Sequence, residues 1–555
     1  MHVHPPGPAS ATGMTRWALA SFLIVNAGAV AADKPTTSPA APKPTDTSRW
    51  VGANYTPASC VNQVQMWHEF RPEVIDRELA AAQKHFALTS LRVYLHNLVY
   101  DAEKAKFLER IDRFLSICRA HGIRPGFVFF DDCHRRDGIF LSPQKPPIDG
   151  YHNGRWAACP QGRERKDENL PKFKAYVQDV IRRFRTDRRV LWWEIYNEPD
   201  RRSPFSGKLR KLGYQWAKEV QPTQPVLCCW DDSPETDIVD AHNYSDDFRS
   251  WARQADLNPA KGTVFTEAGA RWYGRRARSN GAPIEVIHWL RRRKAAGKTV
   301  PGVYLCWELM VGNSHCRWYW GTKHGTPEPP IPWCGLLWPD GTPVSLAEAE
   351  AVRSYVTGKA RAMLFEDFQG APKTPAPPGW KRYGAASRGS RGYLALEPSV
   401  KMIAGKGDWG DYVLEAAVML KGDAGNAGLV FRVSAPGEGS DEMRGYYVGF
   451  DTRTLHLGRM ENNWQPLAAF DLRKLQSKTE PDVWNRLRIA ADGPRIRVWF
   501  NPLHDDPGLR IDYTDKAKPI LRGAVGLRTH KVAAWFDDVI VLPLDALPTP
   551  IKAPH

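Results

Sequence analysis

Between residues 49 and 358 the chain repeats one pattern, a charge-rich segment with helical spacing followed by a short apolar run that stops at polar residues. The runs are WVGANY (50–55), LTSLRVYL (88–95), GIRPGFVFFDD (122–132), LWWEIYNEP (191–199), PVLCCW (225–230), DIVDAHNY (237–244), GTVFTEAGA (262–270) and PGVYLCW (301–307). A run that is apolar throughout marks a strand buried on both faces, as in a parallel sheet covered by helices. Strands alternating with helical segments give βα units. Eight such units in this length fall within the roughly 200 to over 400 residues of a (β/α)8 TIM barrel, and that fold is expected here.

In such a barrel the chemically active groups stand at the C-terminal ends of the strands. The fourth run ends in Asn197, Glu198 and Pro199, and the seventh in Thr266, Glu267, Ala268 and Gly269. A lone glutamate after a strand is better explained by a cap or ion pair in the next loop. Two, on strands that face each other across a barrel, suit the cleavage of a glycosidic bond. One acid protonates the departing oxygen, while one carboxylate attacks or stabilises the oxocarbenium-like centre.

With these residues in view, positions 49–358 resemble the glycoside hydrolases of clan A, the cellulase, xylanase and mannanase class of barrel. The resemblance rests on Arg92 in LRVYL, Asn197 and Glu198 in WEIYNEP, His242 and Tyr244 in DAHNY, Glu267 in FTEAG, Trp307 after the eighth run, and the closing GLLWPDGTPVSLAEAEAV (335–352). It implies a retaining O-glycosyl hydrolase that cleaves a β-linked oligo- or polysaccharide of plant or microbial origin by double displacement. Glu198 would be the acid/base and Glu267 the nucleophile. Arg92, Asn197, His242, Tyr244 and Trp307 would form the substrate-binding set, with Asn197 on the sugar 2-hydroxyl, Arg92 and Tyr244 holding Glu267 ionised, and Trp307 as the floor of the subsite. No cofactor and no metal is implied.

Elementary electrostatics supports the division of labour. A cation such as Arg92 near Glu267 favours its ionised form, while a poorly solvated Glu198 near another negative charge is expected to hold a proton. Trp307 offers a flat apolar face to a pyranose ring, and a core tryptophan would read the same. Glu308 competes as a catalytic acid, but adjacent strand residues point to opposite faces, which turns it away from a cleft that Trp307 faces. Asp131, Asp132, Cys133 and His134 have no second His/Cys pair at ligand spacing, so they read as a hydrogen-bonded loop lining the cleft rather than a metal site. His152 and Asn153 are open to two readings, sugar contact or loop anchoring.

After residue 358 helical periodicity stops. Residues 359–380 are rich in proline and small residues and read as a stiff linker or entry segment. Residues 365–545 then carry many short alternating runs, among them DYVLEAAVML, NAGLVFRVS, RGYYVGFD, WNRLRIAADG and AAWFDDVIVLPL, the signature of an all-β sandwich. They resemble the concanavalin-A-like jelly-roll domain of the keto-disaccharide hydrolase type. Lacking an acid pair at its loop ends, this part is expected to bind carbohydrate or pack on the barrel. Tyr446, Tyr447, Trp464 and Trp499 are its sugar-stacking candidates, with burial in the strands the favoured reading of each.

The N-terminus reads as an export signal over residues 1–32. Arg16 precedes WALASFLIVNAGAV (17–30) and a small-residue cleavage pattern, with translation better begun at Met14. This apolar segment is too short to span a membrane. Residues 33–48 read as a disordered tether, and the protein is expected to be secreted or periplasmic. Nine cysteines, all before residue 335, suit an exported barrel with some disulfides, such as Cys133 with Cys159 or Cys316 with Cys334, although sequence does not assign connectivity. The excess of 77 Lys and Arg over 61 Asp and Glu is spread without a basic stripe, which argues against a nucleic-acid partner and allows an acidic glycan. Twenty-two tryptophans against 21 phenylalanines suit a sugar cleft, with Trp67, Trp156, Trp230, Trp272, Trp318, Trp320 and Trp333 in expected loops. A non-catalytic carbohydrate-binding barrel is the second class compatible with the chain. The acid pair favours the hydrolase.

Overall fold

The computed structural model describes residues 45–134, 137–271, 282–369, 376–384, 386–388 and 392–549. The signal segment 1–32, the tether up to residue 44 and Trp272 lie outside the described residues. The first part runs β1 (Val51–Asn54), α1 (Gln63–His68), α2 (Pro72–Phe86), β2 (Ser90–Tyr94), α3 (Asn97–Ala120), β3 (Arg124–Asp131), α4 (Leu170–Phe184), β4 (Trp193–Asn197), α5 (Pro204–Glu219), β5 (Val226–Leu227), β6 (Val239–Asn243), α6 (Phe248–Ala255), β7 (Thr263–Ala268), α7 (Ala282–Ala295), β8 (Gly302–Leu305) and α8 (Leu346–Thr357). Each strand lies inside its expected apolar run. They form one sheet in the order β5-β4-β3-β2-β1-β8-β7-β6, with parallel pairings throughout. A parallel bridge between Cys229 and Asp240 links the ends of β5 and β6. The (β/α)8 barrel is the fold the alternation called for.

Large side chains fill the barrel interior, which is why glycine is needed at particular points. A Cβ on Gly126 in β3 would sit 2.1 Å from the Trp192 ring, and that ring donates its Nε1 hydrogen to Tyr304 Oη at 2.8 Å across the barrel. Thr47 departs from the expected tether. It is buried, its Oγ1 donates to the Thr263 carbonyl at 2.5 Å and accepts from Gly302 N at 3.0 Å, so it ties the starts of β7 and β8 together.

The rest of the chain is an antiparallel sandwich of a seven-stranded and an eight-stranded sheet. Its core is formed by residues such as Leu414, Phe431, Tyr446, Phe500 and Phe536. The jelly-roll architecture is therefore as expected. Part of the expected linker is structured, since Leu364–Glu366 pairs antiparallel with the strand Ala534–Pro543. All nine cysteines are free thiols, so neither suggested pairing is present. Among the described residues no helix is long and apolar enough to cross a membrane.

Barrel and sandwich share a buried interface. Ile284, Leu346, Ala347 and Ala351 of the barrel pack on Val413, Ala490, Ile540 and Leu542 of the sandwich. At its centre the Glu415 carboxylate accepts from Leu346 N at 2.8 Å, Arg486 Nη1 at 3.0 Å and Arg488 Nε at 2.7 Å, which places an anion at the positive N-terminus of α8. Arg486 also donates to Ser345 Oγ, the N-cap of that helix, at 3.1 Å. Glu415→Ala in the full chain is expected to cost about 3–5 kcal/mol, because the buried Arg488 guanidinium loses its carboxylate partner and Arg486 loses one of its partners, and a chain ending at residue 358 is expected to aggregate. Urea midpoints and gel filtration measure both effects. A soluble truncated barrel of unchanged stability would overturn this account.

Candidate active site

The C-terminal ends of β2, β4, β6, β7 and β8 bring the expected site residues together around Arg92. Its side chain is fully buried. Nε and Nη2 donate to the two oxygens of Glu194 at 2.8 and 2.6 Å, and Nη2 also donates to Asn197 Oδ1 at 2.7 Å. Nη1 reaches Asn54 Oδ1 at 3.0 Å, Tyr94 Oη at 2.6 Å and Glu267 Oε1 at 2.9 Å. Tyr244 Oη donates to the other oxygen of Glu267 at 2.5 Å, and Tyr94 Oη to Oε1 at 3.3 Å. Glu267 is thus held by three donors, one of them charged. Asn197 is fixed at both ends of its amide, with Nδ2 donating to Asp131 Oδ1 at 2.9 Å.

Glu198 follows β4 with φ at 41°, an uncommon conformation for a residue other than glycine, and its side chain turns toward Glu267 and His242. His242 Nδ1 lies 2.8 Å from Glu198 Oε1 and 3.6 Å from Glu267 Oε2. Ligand atoms of the three residues are within 4.8 Å of one another. They are the group among the described residues placed to hold a metal ion, and here the imidazole itself bridges the carboxylates.

The protonation of this pair differs from the sequence expectation. Burial raises the Glu198 carboxyl, but the hydrogen bond and charge of His242, and the Cys133 thiol donating at 3.1 Å, outweigh burial and hold it at about 2. Burial opposes a charge on His242, yet the ring is held well above its usual pKa by Cys229, 3.7 Å from Nε2, and by Glu267 and Glu198. Because burial pushes the Cys229 thiol itself up to about 12, the carboxylates supply the charge that matters. The pair therefore carries one proton, resting on the imidazole and hydrogen-bonded to Glu198. It keeps that proton below the raised His242 pKa and loses it above. In His242→Gln the proton must rest on Glu198 alone, so the basic limb of kcat/KM is expected to move to lower pH. A pH profile on an aryl glycoside tests this, and an unmoved limb contradicts it.

The carboxylates face a chamber of about 210 Å³ lined by Cys133, His134, His152, Asn153, Trp156, Asn197, Glu198, Tyr244, Glu267, Trp307 and Trp320. Trp307 is 6% exposed and lies edge-on to Tyr94 and Trp156 at centroid distances of 5.4 and 5.2 Å. Its Nε1 donates to the Asn153 amide oxygen at 2.7 Å once that amide is turned so that its nitrogen meets the Ser314 carbonyl. Both His152 and Asn153 line the chamber while also anchoring their loop. Glu308 is buried behind the wall, bonded to Ser314, away from the chamber.

Sequence reasoning missed Glu194 and Tyr94, and gave Asp131 and Trp156 only as residues lining the cleft. Asp131 accepts from Trp156 Nε1 at 2.8 Å and, driven by burial, has its carboxyl pushed up to about 7. Burial likewise pushes Glu194 up to about 7 against the pull of Arg92. A glutamate inside the apolar run WWEIY was the available signal, since such a charge is rarely buried without a partner. Of the proposed loop tryptophans, Trp67 belongs to the core and donates to the Tyr94 carbonyl. Trp156 and Trp320 line the chamber, with Trp333 buried against Trp320 at 4.5 Å.

Residues 375–542 match the family model of the 3-keto-alpha-glucoside-1,2-lyase-like domain. No curated protein matches the chain. Among solved structures, the chain is similar to an exo-β-1,4-mannosidase from Opitutaceae bacterium strain TAV5 at 17% identity, over 56% of this chain and 60% of that one, with a TM-score of 0.36. It is similar to an endo-1,4-β-D-mannanase from Thermotoga petrophila RKU-1 at 13% identity, over 56% of this chain and 100% of that one, TM-score 0.35. It is also similar to the carbohydrate binding module CBM66 from Bacillus subtilis at 19% identity, over 30% of this chain and 95% of that one, TM-score 0.25. Within the lyase-like domain, Tyr446 faces the core and Trp499 the barrel interface. Tyr447 and Trp464 instead line a cleft of about 170 Å³ with Asn426, Asp441, His456, Arg528 and His530.

Proposed function

We propose that the chain is an exported retaining glycoside hydrolase acting on a β-linked oligo- or polysaccharide. The observation that carries this reading is the approach of the Glu198 and Glu267 carboxylates to within 4.8 Å, in a chamber floored by an indole ring. Retaining enzymes hold their two carboxyl groups about 5–5.5 Å apart, and inverting ones about 6.5–9.5 Å to admit a water. Glu267, fixed by Arg92, Tyr94 and Tyr244, attacks the anomeric carbon. The C1–O bond breaks, and the departing oxygen takes the proton shared by Glu198 and His242. Water, deprotonated by Glu198, then displaces Glu267 from C1. Export rests on the apolar segment 17–30. The lyase-like domain is assigned packing and carbohydrate contact rather than a second catalytic centre. Proton NMR of the first-formed sugar is expected to show the anomeric configuration of the substrate, and an inverted product would remove Glu267 from the nucleophile's role.

A further inference from the structure

Among the described residues the barrel mouth is walled on the side of β1 and β2 and open over β6 and α6. The loops after β3 and β8 meet across the ends of β1 and β2, where His152 Nδ1 donates to the Trp318 carbonyl at 2.8 Å, His315 Nδ1 to the Ile148 carbonyl at 2.9 Å and Gly325 N to the Asp149 carbonyl at 3.1 Å. The loop after β1 is tied into the same wall. Asn62 Nδ2 donates to the Arg155 carbonyl at 3.0 Å, and Asn313 N to the Ala58 carbonyl at 2.8 Å. Three loops thus form one continuous barrier on this side, and Trp307 and the carboxylates lie behind it. Opposite, Tyr244 lines both the chamber and a groove of about 540 Å³ over β6 and α6, whose walls include His242, Asn243, Asp231 and Arg253.

The sizes are unequal in a way that assigns the two spaces. At about 210 Å³ the chamber is below the roughly 300–1,000 Å³ of pockets that hold drug-sized ligands, so it has room for one sugar ring and none for a second beyond the wall. The groove is more than twice as large, and polar side chains line most of it, with Leu257 and the Tyr244 ring as its apolar part. The departing group must leave past the acid that protonates it, and His242, which shares the proton with Glu198, lines the groove.

We infer that the enzyme works from the non-reducing chain end: the chamber takes a single terminal ring, the groove takes the remainder, and each turnover releases one monosaccharide. This rests on the assignment of Glu198 and Glu267 above. In each cycle the bond from C1 of the terminal ring to the remainder breaks, the remainder leaves with the proton from the Glu198–His242 pair, and one water supplies the hydroxyl that ends on C1 and restores the proton.

The test uses the full chain, a panel of borohydride-reduced β-1,4-linked manno-, cello- and xylohexaose, and the matching single-ring 2,4-dinitrophenyl 2-deoxy-2-fluoro-β-glycosides. Labelling of Glu267 by a single-ring reagent is expected, together with monosaccharide in at least about tenfold excess over any longer unreduced product in the first few per cent of hydrolysis. His152→Ala, which cuts one tie across the wall, is expected to raise the share of longer products. If Glu267 is labelled, or the hexaoses are cut, but di- and trisaccharides appear first, end-on action is refuted while the hydrolase assignment stands. If no reagent labels Glu267 and no hexaose is cut, the catalytic assignment fails, and the inference with it.

Discussion

Glu267→Gln is expected to lower kcat by on the order of 10⁵, the scale on which removal of a covalent nucleophile is felt, while leaving the fold unchanged. The amide matches the carboxylate in shape, and its oxygen can still accept from Arg92 or Tyr244, so the packing around it persists. What is lost, on the proposed mechanism, is the charge and lone pair that attack the anomeric carbon. Glu198→Gln is expected to be milder and dependent on the leaving group. Loss of general acid catalysis costs about 10²–10⁴ on a sugar leaving group, and much less on a dinitrophenolate, which departs without a proton. Steady-state kinetics on both substrate types, with circular dichroism as the control for folding, separates the two roles. Comparable turnover in Glu267→Gln, or a Glu198→Gln defect indifferent to the leaving group, would overturn the assignment.

The second large effect concerns Arg92. Arg92→Ala would leave Glu194 and Glu267 buried without their cation, and breaking a buried pair in this way costs about 3–5 kcal/mol. The expected outcome is a large drop in the denaturation midpoint together with loss of activity. Arg92→Lys keeps the charge but presents a single ammonium where a planar fork now serves Glu194 through two nitrogens while reaching Asn54, Tyr94, Asn197 and Glu267. It is expected to recover part of the stability and little of the turnover. A lysine variant with full activity would show that Arg92 acts only as a counter-charge.

The barrel was legible because burial on both faces leaves a plain trace, an apolar run that ends where the strand meets solvent. The positions of Asn197, Glu198 and Glu267 followed from those ends, while Arg92, His242, Tyr244 and Trp307 came from the resemblance to clan A barrels. The ionised state of Glu198, with the proton on His242, did not follow, because it depends on a histidine two strands further round the barrel, at a distance no local pattern encodes. Asp131 and Cys133 looked like a loop cluster, but Asp131 is the last residue of β3, and the two reach Asn197 and Glu198. The proline-rich segment after residue 358 read as a linker because composition reports chain stiffness. It is silent about Leu364–Glu366 adding to a sheet edge contributed by residues far along the chain.

The loop after β8 that walls the chamber is held from behind by the lyase-like domain. Ile331 of that loop packs among Ala417, Met419 and Trp484, and Glu328 accepts from His504 N at 2.8 Å. The shape of the cleft is therefore partly inherited from a domain none of whose described residues lines it. In a lineage that shuffled its domains, a barrel joined to a foreign sandwich would keep its acids but lose the backing of its wall. The two halves are free to drift in their outer surfaces and bound to change together along this seam, so a cut made at residue 358 to swap modules would divide a unit of specificity.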